Sequence, residues 1–312
     1  MSKYIKSVLF FLLLCHVTMA QQDTQFTQYT TNMSVVNPAY ATSNLGVVNL
    51  GANYRKQWVN SIGSPRTLSF FAHTPFSEKI EMGITFTSDQ IGEDVIEINE
   101  NNINADFAYV LDISDNSKLS LGLKAGFTLY DTAFTGMLID PNDPTFTNDV
   151  NEVYPTIGAG AYYFTDSYYV GVSAPNFLRT SHSDDAIVVT NQGKEEIHFY
   201  MIGGYVFPIN DNFKLKPSFM VRAVKGAPVN VDLSVSALMY DRVEAGLSYR
   251  LDDAISALVG FRVTPSFKVA YSYDATVSEF SNYNNGSHEI VLLFDVSLFD
   301  LNAGYKKSPR FF

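Results

Sequence analysis

Ser287, His288 and Glu289 set a hydroxyl, an imidazole and a carboxylate side by side. These are the residue types of acyl-transfer chemistry, in which a base activates a nucleophile. Such a constellation works through geometry and not through adjacency. The surrounding segment reads as a strand, in which neighbouring side chains point to opposite faces, so His288 is turned away from both of its neighbours. The triplet is therefore expected to be structural, and an outer-membrane hydrolase is only the third reading of the chain. Metal chemistry has equally little to stand on. His73, His182, His198 and His288 are scattered over different segments, where a metal site would want close pairs or a cysteine partner. The acidic stretches 89–100, 140–152 and 184–196 could hold calcium, but Asp140-Pro141-Asn142-Asp143 lacks the glycine and terminal glutamate of an EF-hand loop. These stretches read as solvated, and neither a catalytic residue nor a cofactor is expected.

A second set of charged residues has a more telling placement. Lys124, Lys214, Lys216, Arg222, Asp232, Glu244, Arg250, Arg262, Lys268, Asp274 and Asp295 all fall on the polar phase of segments whose alternate residues are apolar. The pattern is cleanest where Val229, Val231, Leu233, Val235, Ala237 and Met239 interleave with Asn230, Asp232, Ser234 and Ser236. That is a strand with one apolar face. Period 2 alone would also suit a soluble sandwich. Length separates the two, because runs of about ten residues match a tilted strand crossing a bilayer, whereas strands of soluble domains are about half as long. The expected fold is thus all-β, a transmembrane antiparallel β-barrel with apolar residues toward lipid and the charged set toward the lumen. Charges on the lipid face would cost about 2–4 kcal/mol each near the midplane, and the mixed signs within the set point to a filled interior.

Strands are predicted over 46–55, 66–75, 80–88, 98–113, 118–130, 153–164, 168–177, 195–207, 213–224, 229–240, 243–251, 254–264, 267–274 and 288–299. They make about fourteen, and barrels of this class have even strand numbers. The connections alternate: short at 76–79, 114–117, 165–167, 209–212, 241–242 and 265–266, and longer at 56–65, 89–97, 131–152, 178–194 and 275–287. Lys225 to Pro228 and Asp252-Asp253 are brief exceptions. Short turns belong on the periplasmic rim and long loops outside, which puts both termini in the periplasm.

The N-terminus suits that location. Lys3 and Lys6 precede an apolar run from Val8 to Cys15, and Val17-Thr18-Met19-Ala20 precedes Gln21, the pattern of a secretory signal. Residues 1–20 are expected to be that signal, 21–45 a periplasmic segment or plug, 46–299 the barrel, and 300–312 a periplasmic tail. Cys15 is the one cysteine, so no disulfide is expected. Losing Lys3 and Lys6 moves the net formal charge from -11 to -13, which argues against a nucleic-acid partner. Hydrophobic residues make up 46% of a chain that has no apolar run of some 18 residues beyond the signal, and a barrel reconciles the two by spanning lipid with alternate residues.

Several stretches resemble the PorP/SprF family of outer-membrane components associated with type IX secretion in Bacteroidetes. They are Gln25-Phe26-Thr27-Gln28-Tyr29; Asn37-Pro38-Ala39-Tyr40; Tyr54-Arg55-Lys56-Gln57-Trp58 with Gly63 and Pro65; Ala72-His73-Thr74-Pro75; Gly286-Ser287-His288-Glu289-Ile290; and Pro309-Arg310-Phe311-Phe312. A glycine often follows Ala41 in the family, where this chain has Thr42. The resemblance implies a non-enzymatic membrane protein, needed for export or surface attachment of large proteins such as adhesins and linked in some members to gliding motility. The partners it implies are outer-membrane lipid, cargo bearing a C-terminal sorting domain, and a periplasmic peptidoglycan-binding lipoprotein. It offers Gln25, Phe26, Gln28, Tyr29, Asn37, Pro38, Tyr40, Arg55, Trp58, Pro65, His73, Gly286, His288 and Glu289 as family-motif or partner-binding candidates. Read for structure alone, Asn37-Pro38 is a turn and Trp58 an interfacial aromatic. A solute channel or transporter is the alternative function.

Overall fold

A computed structural model of the chain describes residues 24–93, 96–133, 150–178 and 196–297. The alternating segments form fifteen antiparallel strands: β1 Val47–Lys56, β2 Arg66–Ser77, β3 Ile80–Glu93, β4 Ile96–Ser114, β5 Ser117–Ala133, β6 Val150–Thr165, β7 Tyr168–Ala174, β8 His198–Tyr205, β9 Phe207–Asn210, β10 Phe213–Val224, β11 Asn230–Met239, β12 Val243–Arg250, β13 Ala254–Thr264, β14 Phe267–Thr276 and β15 Ser287–Ser297. Apart from β8 and β9, which both pair with β10, each pairs with its sequence neighbours, and β15 closes the sheet on β1 from Val47↔Ser297 to Lys56↔His288. β8 and β9 flank Val206 and run along the same neighbour, β10, so they count as one stave. The result is the expected fourteen-stranded closed antiparallel barrel. Closure leaves no unpaired edge, the condition for a sheet to sit in lipid.

Facing follows the sequence phase. Leu233, Val235, Leu247, Val259 and Ile290 are exposed on the outer surface, while Asp232, Ser236, Glu244 and Lys268 are buried inside. Aromatic side chains ring both ends of the outer band, as at the two faces of a membrane. At the short-turn end Tyr168 stacks on Tyr205 at 6.2 Å, Phe267 on Phe294 at 4.3 Å, and Arg242 lies over Phe261 at 5.1 Å. At the other end Tyr54, Phe70, Phe127 and Tyr249 point outward. The inner wall is not polar throughout. Val110, Tyr162, Phe164, Tyr169, Ile202 and Met220 form an apolar patch on β4, β6, β7, β8 and β10, and Tyr29, Met33, Val36 and Tyr40 of the preceding segment pack onto it.

Some boundaries differ from expectation. The sequence pattern predicts a long loop over 89–97, but β3 and β4 stay in register from Asp89↔Glu100 to Glu93↔Ile96. β5 and β6 likewise pair through Asp131↔Asn151 and Thr132↔Val150, inside the expected 131–152 loop. These hairpins rise past the aromatic ring into water, where both faces are wet, so the apolar alternation ends before the strand does. At the opposite wall β12 has only 8 residues against 19 for β4, which leaves the rim low where the connections are short. The stave expected over 195–207 begins at His198 and breaks at Val206, and the one expected over 168–177 ends at Ala174. The expected signal, the C-terminal tail with Pro309 to Phe312, His182, and most of the acidic stretches 140–152 and 184–196 lie outside the described residues.

Candidate functional site

Residues 24–44 run through the lumen. Their sequence has no strand period, and apart from a single helical turn, α1 (Met33–Val36), they form only turns. A segment without a ladder of its own must find partners for its backbone elsewhere, and here the barrel's inner wall supplies them. Thr24 lies at the long-loop end beside Gln57 and Trp58. Ser43 lies near the short turns, where its N–H donates to Glu81 at 2.6 Å.

The densest anchor centres on Arg55 of β1, which is 1% exposed. Its Nη2 donates to Asp274 of β14 at 2.7 Å and its Nη1 to Glu289 of β15 at 3.0 Å. Nη1 also donates to the Thr27 hydroxyl at 2.9 Å, which in turn donates to Asp274. Glu289 accepts from the backbone N–H groups of Thr27 at 2.7 Å and Gln28 at 3.1 Å, and from Asn53 at 2.9 Å. One guanidinium faces two carboxylates at full burial, and the hydrogen bonds that complete the carboxylates come largely from the lumen segment. A buried ion pair holds only when its remaining lone pairs are satisfied, so the segment is part of what holds the cluster together. On the adjoining wall Arg250 of β12 donates to Asp232 at 2.8 Å and to Gln25 at 3.1 Å, and Tyr29 contacts the hydroxyls of Ser218 and Ser234.

Asn37-Pro38-Ala39-Tyr40 is held differently. A Cβ on Gly122 of β5 would collide with Pro38 and Ala39, and one on Gly160 of β6 or Gly171 of β7 would collide with the Asn37 amide. The three glycines are on adjacent strands, Gly122 paired with Gly160, and make a shallow seat for the turn. Asn37 donates to the Ala161 carbonyl at 3.2 Å and accepts from the Ala39 N–H at 2.9 Å. Beside the seat the Tyr40 ring lies 5.5 Å from that of His73, which shares a 2.6 Å hydrogen bond with Glu81. Lys124 pairs with Asp106 at 3.1 Å and donates to the Val35 carbonyl at 3.4 Å.

Over the Arg55 cluster the 57–65 connection folds onto the end of β15. Val59 donates to the Gly286 carbonyl, Asn285 donates to the Val59 carbonyl, and the Trp58 N–H donates to the Ser287 hydroxyl. Trp58 packs edge-on against Phe280 at 5.0 Å. Gly286 has φ +80, and a Cβ there would strike the Asp274 carbonyl and the Tyr273 ring, so only glycine fits. Within the triplet, Ser287 and Glu289 are buried inside while His288 points outward, its Nδ1 2.6 Å from the Tyr271 hydroxyl. No catalytic constellation forms there.

The motif residues scattered along the sequence are thus brought together. Gln25, Gln28, Tyr29, Asn37, Tyr40, Arg55, His73, Gly286 and Glu289 meet one another or the inner wall. Phe26, Trp58 and Pro65 help to line a vestibule of about 480 Å³ above the lumen segment. Phe26, Val35 and Val36 floor it, and Thr87, Asp89, Glu100 and Asn102 of the tall β3–β4 wall stand over it. Of the lumen candidates, Lys124, Lys216, Arg222, Asp232, Glu244, Arg250, Lys268 and Asp274 are buried. Most form pairs, Lys268 with Glu244 among them. Lys214, paired with Asp241 at 2.6 Å, and Arg262 and Asp295 sit at the short-turn end and are partly exposed. Thr27, Asn53, Glu81 and Asp106 complete the clusters and are absent from the candidates that the sequence singles out. For Asn53, Glu81 and Asp106 a signal exists, since they lie on the inward phase of β1, β3 and β4.

The family model for the type IX secretion system membrane protein PorP/SprF matches residues 18–294. Among solved structures, the Ralstonia pickettii toluene transporter TbuX is similar with a TM-score of 0.52 at 7% identity, over 84% of this chain and 92% of that one. A TodX deltaS2S3 mutant, a monoaromatic hydrocarbon channel, gives 0.51 at 9% identity, over 88% and 95%. At such identities the likeness is one of fold, that of an outer-membrane barrel. No curated protein matches the chain.

Proposed function

The chain belongs to the PorP/SprF family of type IX secretion system membrane proteins, and from that premise we propose that it is a non-enzymatic outer-membrane barrel supporting export or surface attachment of large proteins. Adhesins bearing a C-terminal sorting domain are the proposed cargo, a periplasmic peptidoglycan-binding lipoprotein the proposed partner at the short-turn rim, and gliding a process it serves. In this reading residues 1–20 are a removable export signal. The observation that carries the proposal is the lumen segment itself. Buried ion pairs and a fitted glycine seat hold residues 24–44 in the bore, which suits a scaffold that keeps its bore filled and presents its rims to proteins better than it suits a conduit. The tall β3–β6 wall and the vestibule beneath it, with Asp89 and Glu100 in its lining, supply a receiving surface on the long-loop side. Isolation of the native protein from outer membranes, with mass-spectrometric identification of what accompanies it, tests the reading. Surface proteins with C-terminal sorting domains are expected, together with their loss from the cell surface when the gene is deleted. Recovery of the protein alone, with unchanged surface proteins and solute-dependent conductance in planar bilayers, would establish the channel instead.

A further inference from the structure

The outer face carries a charged feature that neither the lumen network nor the secretion reading uses. Strand register sets Gln90, Arg66, Lys56, His288 and Tyr273 side by side across β3, β2, β1, β15 and β14. Arg55, Thr67 and Glu289 are buried inward, so by alternation Lys56, Arg66 and His288 project from the outer surface. Tyr54 and Tyr271 stand two residues nearer the barrel's middle than Lys56 and Tyr273, about 6–7 Å along the strand. The basic groups therefore lie just beyond the aromatic ring, at the depth of lipid headgroups.

Isolated lysines near a membrane face commonly extend toward water with no specific partner. Three observations set this group apart. By register the same row continues through Asn99, Asp131 and Asn151 on β4 to β6 and through Ala257 and Leu247 on β13 and β12, so the cations form a cluster and not a belt. The side chains of Lys56 and Arg66 have no hydrogen-bond or ion-pair partner among the described residues, and Glu97, the outward carboxylate of β4, already accepts from Gln90 and Asn99. Tyr271 fixes the His288 ring through Nδ1, which leaves Nε2 to face a ligand. A planar guanidinium, an ammonium and an imidazole, presented by three adjacent rigid strands, match the oxygens of a phosphate group.

We propose that Arg66, Lys56 and His288 bind the phosphate of an anionic lipid headgroup in the leaflet on the long-loop side. Bis-phosphorylated lipid A is the probe, titrated into the folded, detergent-solubilised full chain and followed by native mass spectrometry, with fully dephosphorylated lipid A and inorganic phosphate alone as comparisons. The phosphorylated lipid is expected to bind. Each of Lys56→Gln and Arg66→Gln should weaken it about ten-fold, the equivalent of one charge-assisted hydrogen bond. Lys225→Gln, at the vestibule and equal in charge loss, should leave binding unchanged. Heat-dependent gel mobility confirms folding of each variant, and Arg66→Lys, which keeps the charge and loses the fork, should fall between. Equal binding of dephosphorylated lipid A, unchanged binding by both single variants, or displacement of the lipid by low concentrations of inorganic phosphate would overturn the proposal, the last by showing a free-phosphate site.

Discussion

Glu289 accepts the backbone N–H of Thr27 at 2.7 Å across 262 residues of sequence, so the last strand of the barrel holds the beginning of the lumen segment directly. The same carboxylate is the counter-charge of Arg55, and loss of either partner acts on both the wall and the segment.

Arg55→Leu is expected to be severe. It leaves Asp274 and Glu289 buried without their cation, a situation that costs about 3–5 kcal/mol. The barrel's ladder does not depend on the Arg55 side chain, so the release should come first in residues 24–44. Cys15 is the chain's one cysteine, so Ser34→Cys, inside the lumen, provides a reporter thiol. Maleimide labelling of that thiol in the folded protein should be slow with Arg55 intact and about 100-fold or more faster once Arg55→Leu has removed the cation, since each 1.4 kcal/mol of such a loss is about a factor of ten. Equal rates would show that the cluster does not hold the segment.

Gly122→Val addresses the other anchor. A Cβ at this position would meet Pro38 and Ala39 backbone, and backbone yields less easily than the tip of a side chain. The valine suits a strand, so the barrel should still fold by heat-dependent mobility while Ser34→Cys labelling accelerates. Asn37→Ala removes only side-chain hydrogen bonds and should cost about 1 kcal/mol. A larger effect of Asn37→Ala than of Gly122→Val would invert the assigned roles of seat and turn.

Alternation makes the barrel legible because each spanning strand meets lipid on one face and lumen on the other, and the contrast is written residue by residue, as in Leu233 against Asp232. It fails at Asp89 to Glu97, where β3 and β4 leave the membrane and both faces meet water. Lumen partners are legible as a class but not as pairs. Lys124 can be placed inside from its phase, yet its partner Asp106 lies 18 residues away in β4, and register fixes that match, not composition. Residues 24–44 have no period because the surface they pack against, from Gly122 to Glu289, is contributed by distant strands. Tyr162 and Ile202 carry no mark of their role, since an inner wall that is apolar only where the lumen segment touches it gives no local sign.

The assigned facing has a direct check in two adjacent residues. Val235 points to lipid and Ser236 is buried inside, near Glu244, Lys216 and Lys268. Val235→Lys should lower stability by about 2–4 kcal/mol, the cost of a cation near the midplane, and reduce the folded fraction in heat-dependent mobility. Ser236→Asp adds a carboxylate to an interior that already holds two lysines, and should be accepted with far less loss. Equal sensitivity at both positions would remove the distinction between faces on which the membrane placement rests.

Removal of the lumen segment separates a filled scaffold from a conduit. With residues 24–44 in place, Tyr29, Met33 and Tyr40 pack on the inner apolar patch and Arg55, Asp274 and Glu289 close the opposite side around Thr27. Ion flow through the intact protein in planar bilayers should therefore be small. A fourteen-stranded wall lies between the eight-stranded barrels that side chains fill and the open porins, so a variant lacking 24–44 should conduct several-fold more, provided that it folds by gel mobility. Arg55→Leu, with the full chain retained, gives the same readout without a deletion and should conduct in intermittent openings. High, steady conductance of the unaltered protein, no greater after either change, would mean that the bore is a passage and that the lumen segment serves only to brace it.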